Sequence, residues 1–101
     1  MAAVLERMTQ KVHPDKWQEL AEIDIKFNAF ENRFGFPPKR RYRFFAGGDD
    51  LNTLVIEREW ESLAAMEAGY EKGMFDQDYQ ALQAELNGVV AETKIELLLP
   101  L

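Results

Sequence analysis

The stretch Leu54 to Met66 reads LVIEREWESLAAM and passes from strand to helix with almost no connecting loop. Leu54, Ile56 and Arg58 alternate with Val55, Glu57 and Glu59, the period of two that a strand imposes on its faces. Beyond Trp60 and Glu61 the spacing changes. Leu63, Met66 and Tyr70 fall three and four residues apart, and Ser62 stands where a helix N-cap belongs.

Toward the N-terminus, Lys39 to Ala46 has strand character, and Gly47 to Leu51 turns the chain back. An antiparallel hairpin centred on Asp49 sets Tyr42 opposite Ile56 and Phe44 opposite Leu54. The same register sets Arg41 opposite Glu57 and Lys39 opposite Glu59, pairing opposite charges on the other face. Ala3 to Val12 alternates as a first strand with neither face cleanly apolar, and His13-Pro14-Asp15 ends it. Pro14 suits the first turn of a helix reaching Phe34, roughly 30 Å long. Leu20, Ile23, Phe27, Phe30 and Phe34 form its apolar stripe, Trp17 and Asp24 flank that stripe, and Ile25 points away. Gly35 and Pro37-Pro38 stop this helix.

Toward the C-terminus, Gly69 and Gly73 loosen the helix that Ser62 starts, and a new helix begins near Asp76. Phe75, Tyr79, Leu82 and Leu86 share its apolar spacing until Asn87-Gly88. Val89 to Leu99 is a last strand, with Thr93, Ile95, Leu97 and Leu99 on one side and Lys94, Glu96 and Leu98 on the other. The order is β-α-β-β-α-β with the second helical segment in two pieces. It predicts an α+β, ferredoxin-like domain spanning residues 1–101, a four-stranded antiparallel sheet with helices on one face.

Composition bounds the function. A chain of 101 residues has room for one core, and 47% hydrophobic residues exclude a disordered chain. A net charge of −6 argues against nucleic-acid partners and anionic membrane surfaces. The absence of cysteine removes disulfides and thiol chemistry, and no cofactor or metal motif stands in the chain. The first residues carry charge and lack an apolar signal core, and Leu97 to Leu101 is too short to span a bilayer. The expected setting is cytoplasmic.

Strands two to four carry charge on one face: Arg41 and Arg43, Glu57 and Glu59, Lys94 and Glu96. Phe45, Val55 and Leu98 interleave with those charges, and the tail Leu97 to Leu101 is apolar. A solvated sheet face is one outcome. The other, favoured by the interleaved apolar residues, is a homodimer in which two such faces enclose a partly polar cavity.

His13-Pro14-Asp15-Lys16 before the long helix, Trp60-Glu61-Ser62-Leu63 at the strand-to-helix passage, and the order of elements resemble the dimeric α/β-barrel superfamily. Its small members, the NIPSNAP-like, EthD-like and antibiotic-biosynthesis-monooxygenase-like proteins, match best. The resemblance implies two protomers packed sheet against sheet, and a range of activities from cofactor-independent oxygenases and isomerases to haem-handling proteins. The haem-degrading members carry histidine on a helix, and no helix here does.

The candidate site residues follow from this expectation. His13, the one histidine, is first a surface or capping residue and second a catalytic one. Glu57 is a general base if desolvation raises its pKa, although cross-strand ion pairs with Arg41, Arg43 and Lys39 account for it more simply. Arg43 supplies positive charge for an anionic or enol group, and Arg7 edges the same cavity. The third strand ends at Trp60 and the long helix starts near Trp17, so both are expected near rims of the sheet, with the ligand beside them between the charged sheet face and the edge of the long helix. The expected ligand is a small aromatic or polyketide-like acid bound at the charged sheet face without a cofactor. The alternative is a non-catalytic dimeric module.

Overall fold

The computed structural model describes residues 3–101. The chain runs β1 (Val4–Val12), α1 (Trp17–Phe34), β2 (Lys39–Arg43), β3 (Thr53–Trp60), α2 (Leu63–Met74), α3 (Gln77–Asn87) and β4 (Val90–Leu98). The four strands form one antiparallel sheet in the order β2-β3-β1-β4, with the helices on one face. This is the expected ferredoxin-like architecture.

Local chemistry explains the boundaries. Ser62 caps α2 by accepting the Ala65 N–H at 3.1 Å, and Asp76 caps α3 by accepting the Tyr79 N–H at 2.9 Å. At the end of α1, Gly35 adopts φ +80°, and the Gly35 and Phe36 N–H groups return to the Asn32 and Glu31 carbonyls. That pair of bonds is the Schellman closure, and its left-handed residue favours glycine. The start of α1 differs from expectation. Pro14 lies in a turn closed by Lys16 N–H on the His13 carbonyl at 2.9 Å, and the helix begins three residues later at Trp17.

The hairpin register is displaced by one residue from the expected one. Arg40 faces Glu57, Arg41 faces Ile56, Tyr42 faces Val55 and Arg43 faces Leu54, and β2 stops at Arg43 instead of Ala46. A slip of one residue turns every β2 side chain over. Lys39, Arg41 and Arg43 therefore point to the helix side, while Arg40 and Tyr42 occupy the open face. Partners decide the matter: Asp24 of α1 lies 2.8 Å from Lys39 and 3.3 Å from Arg41, and Glu31 lies 3.2 Å from Lys39. Two carboxylates on the helix facing β2 outweigh the apolar matching that Tyr42 and Phe44 had suggested.

The core gathers Leu20, Ile23 and Phe27 of α1, Leu54 of β3, Tyr79 and Leu82 of α3, and Val12, Val89 and Val90 at the end of the sheet. Phe75, expected on the α3 stripe, lies in the α2–α3 junction and is exposed. The helix-side residues Ile95 and Leu97 of β4 also remain exposed, because on this edge strand the core takes in only the first residue, Val90.

Gly73 touches the ring of Tyr79, whose edge packs against Phe27 at 5.5 Å between centroids. A Cβ built at Gly73 would stand 2.8 Å from that ring. Helix propensity alone favours Gly73→Ala by about 1 kcal/mol. Overpacking against a held ring costs about 1–3 kcal/mol. We expect urea denaturation to show Gly73→Ala less stable than wild type; a more stable variant would mean the ring gives way.

Candidate functional site: a cavity between the helices and the sheet

The even-numbered residues of β1 face the helices, so Glu6 and Gln10 enter the interior beside Val4, Met8 and Val12. Arg58 enters from β3 in phase with Leu54 and Ile56. Buried polar groups persist only with partners, and these have them. The Arg58 guanidinium meets Glu31 at 2.6 Å, donates to the Pro37 carbonyl at 3.0 Å, and lies 4.0 Å from Glu6. Glu6 also accepts the Tyr70 hydroxyl at 2.7 Å and the Trp60 indole N–H at 3.1 Å. With Lys39, Asp24 and Arg41 the result is a chain of alternating charge, Arg41–Asp24–Lys39–Glu31–Arg58–Glu6, ending on Tyr70. Three cations balance three carboxylates along it.

Most of this chain forms one wall of a cavity of about 80 Å³ between α1, α3 and the sheet. Phe27, Leu54, Ile56, Met8 and Leu86 supply the apolar wall, and Gln10 lies at its β1 side. Tyr70, Tyr79 and Gln83 separate the cavity from a broader cleft of about 500 Å³ on the outside of α2 and α3. Burial first, and the neighbouring Glu6 carboxylate second, push the Tyr70 phenol well above its ordinary range; burial also raises Tyr79. Tyr70 is therefore a neutral hydroxyl that donates to Glu6 and accepts from Arg58 Nη1 at 3.4 Å.

The residues expected from sequence occupy four separate places. Arg7 and Glu57 meet at 3.1 Å on the open sheet face, where Arg40 also approaches Glu57 at 3.8 Å. Arg43 lies on the other side of the sheet, its guanidinium 4.0 Å from the Trp17 ring centroid and its Nε donating to the Leu51 carbonyl at 2.8 Å. Trp17 is held there by an indole N–H bond to Asn52 at 2.9 Å. Trp60 closes the opposite end of β3, buried against Phe36 and Tyr70. His13 is exposed at the turn before α1. Arg43 and Glu57 thus face opposite sides of the sheet, and neither tryptophan lines the cavity.

The residues that do converge, Glu6, Gln10, Asp24, Glu31, Lys39, Arg41, Arg58 and Tyr70, were absent from the expected set. One signal for them existed in the sequence: Arg58 sits in strand phase with Leu54, Ile56 and Trp60. Asp24 and Glu31 also lie seven apart, beside Leu20 and Phe27 on the apolar stripe.

No family model matches the chain, and no curated protein matches it. Solved structures do. A NIPSNAP family protein from Agrobacterium tumefaciens superposes with a TM-score of 0.83 at 18% identity, over 99% of this chain and 87% of its own. A NIPSNAP-like domain protein from Burkholderia xenovorans gives 0.84 at 15% identity, over 99% and 86%. A variant of SnoaB, a cofactor-independent oxygenase from Streptomyces nogalater, gives 0.72 at 17% identity, over 97% and 92%. The fold is theirs. At these identities the likeness is one of fold and carries no residue roles. Among the described residues no helix is long and apolar enough to cross a membrane.

The raised tyrosines set a pH dependence. A group whose folded pKa exceeds its unfolded value, 10.0 for tyrosine, stabilises fully below that value and loses its contribution as pH rises above it. We expect stability in urea to fall above pH ~10, each buried phenol adding about 1.4 kcal/mol per pH unit to the slope. Tyr70→Phe should lower stability at neutral pH and make the alkaline slope shallower. An unchanged slope would show that Tyr70 is not held as the neutral phenol.

Proposed function

We propose that the protein binds, or converts without a cofactor, a small aromatic acid in the cavity between α1, α3 and the sheet. One observation carries this: Lys39, Arg41 and Arg58, three cations against the two carboxylates Asp24 and Glu31, line one wall of a cavity whose opposite wall is largely apolar. Pockets for small molecules combine such walls with a few placed polar groups. At about 80 Å³ the cavity has room for no more than a small ring, and any larger part of the ligand would lie in the outer cleft of about 500 Å³. Arg41 at the rim has one ion pair, at 3.3 Å to Asp24, and its guanidinium fork retains donors for a carboxylate. Conversion without a cofactor draws support from the fold shared with SnoaB. Relative to the sequence expectation, the ligand moves from the open face of the sheet to its helix side. A cytoplasmic setting accompanies this proposal.

The test is thermal shift and calorimetry with a panel of aromatic carboxylates. Wild type should be stabilised, Arg41→Gln should bind at least 10-fold more weakly, and Gln83→Trp, which fills the wall between cavity and cleft, should not bind. Equal binding by all three proteins would place the ligand elsewhere. No response to any acid would favour the non-catalytic module.

A second proposal concerns the open face: two copies associate through it and through the C-terminal leucines. The strand residues of that face balance Arg7, Lys11, Arg40 and Lys94 against Glu57, Glu59, Glu92 and Glu96. Two such faces meet without net repulsion, although the whole chain carries −6. Leu5, Tyr42, Val55 and Leu98 lie among those charges, Leu99 and Leu101 of the C-terminal tail are exposed, and Leu97 is exposed on the helix side of the same edge. Sedimentation should give twice the 11.7 kDa chain mass. Leu98→Glu, which sets an unpaired charge in the interface, should restore the single-chain mass. A variant that stays dimeric would assign the contact to another surface.

A further inference from the structure

Gln10 is the buried carboxamide of the cavity wall, whereas Gln83, the other carboxamide there, is exposed. Gln10 is 2% exposed and lines the cavity, yet among the described residues its side-chain amide meets only the Met8 sulfur, at 3.3 Å. A thioether is a weak acceptor, and a carboxamide has two donors and an acceptor oxygen to place. The charged neighbours are committed to one another: Asp24 to Lys39 and Arg41, Glu31 to Lys39 and Arg58. The open hydrogen-bonding capacity deep in the cavity therefore belongs to Gln10.

Its position relative to the rim cation sets a length. Gln10 faces Leu54 across β1 and β3, and Arg41 faces Ile56 across β2 and β3. The two residues are thus two strands and one same-face step apart, roughly 12 Å between Cα atoms by standard sheet spacings. Both side chains reach inward from those positions. One aromatic ring, with a carboxylate at one end and a hydrogen-bonding group at the other, spans what remains.

We propose that Gln10 is a specificity-determining residue that reads a neutral hydroxyl on the far end of the ligand, so that the site prefers hydroxylated aromatic acids to unsubstituted ones. An amide matches a hydroxyl because each both donates and accepts. A site built to hydrogen-bond a hydroxyl rejects the analogue lacking it, since its own polar group is then left buried without a partner. This inference rests on the cavity being the ligand site, and it adds which end of the ligand is read and by what.

Calorimetry with benzoate and 4-hydroxybenzoate tests it, on wild type, Gln10→Leu and the more flexible Gln10→Met. Wild type should bind 4-hydroxybenzoate at least 10-fold more tightly than benzoate. Both variants should bind the two acids within 2-fold of each other, the preference of wild type being lost. Their thermal midpoints should equal or exceed that of wild type, because the underpaired amide is gone; a structural role for Gln10 would lower them. Benzoate binding without preference in wild type, or a preference that survives in either variant, would overturn the assignment to Gln10 and leave the cavity as the ligand site. Binding of neither acid by wild type would overturn both.

Discussion

The buried guanidinium of Arg58 is the constraint on which the arrangement depends. It belongs to the central strand β3, yet its partners come from β1, α1, the segment leading into β2, and α2: Glu6, Glu31, the Pro37 carbonyl and Tyr70. An arginine taken from water costs several kcal/mol unless its donors are met, and its planar fork meets several acceptors at once. Phe36 adds a face for the cation, with the guanidinium carbon 5.1 Å from the ring centroid. Removal of Glu31 would leave the guanidinium without its close counter-charge in the interior, so these segments are held to one mutual placement.

That placement propagates. Glu31 can reach Arg58 only if α1 turns its Asp24–Glu31 edge over the β2–β3 side of the sheet. The same edge then offers carboxylates to β2, which presents Lys39 and Arg41 to them and takes the register that does so. The cavity is the space left between this polar edge and the apolar stripe of α1. It exists because long, paired side chains do not fill an interlayer gap as densely as interdigitated aliphatics do. The ion chain as a whole is electrically balanced, which allows six charged groups to line one edge of the interior of an 11.7 kDa protein.

The two faces of the sheet therefore do different work. The helix side carries the connected ion chain and the cavity. The open side carries local ion pairs, Arg7 with Glu57 and Lys11 with Asp49, among apolar residues that no helix covers. At the far edge, β4 presents Ile95 and Leu97 on the helix side without cover. A sheet that leaves apolar residues bare on one face and along one edge is suited to association through both.

The sequence by itself determined the element order, the fold class and the helix ends that carry a cap or a glycine stop, though not the start of α1. These depend on short-range patterns: the period of two around Ile56, the stripe from Leu20 to Phe34, the caps Ser62 and Asp76, and Gly35 with its left-handed backbone. It also carried a trace of the site, since Arg58 lies in phase with Leu54 and Ile56 where a strand facing helices calls for an apolar residue. Only the tertiary structure decided the hairpin register and the membership of the cavity. Matching Tyr42 to Ile56 and Arg41 to Glu57 considers two strands alone, whereas the register answers to Asp24 and Glu31 on a helix that crosses above them. Arg43 and Glu57 are likewise neighbours in any list of charged strand residues, but one lies beneath α1 and the other on the open face. Which side of a sheet a charge takes depends on which element supplies its counter-charge, and that is settled by packing between segments distant in sequence.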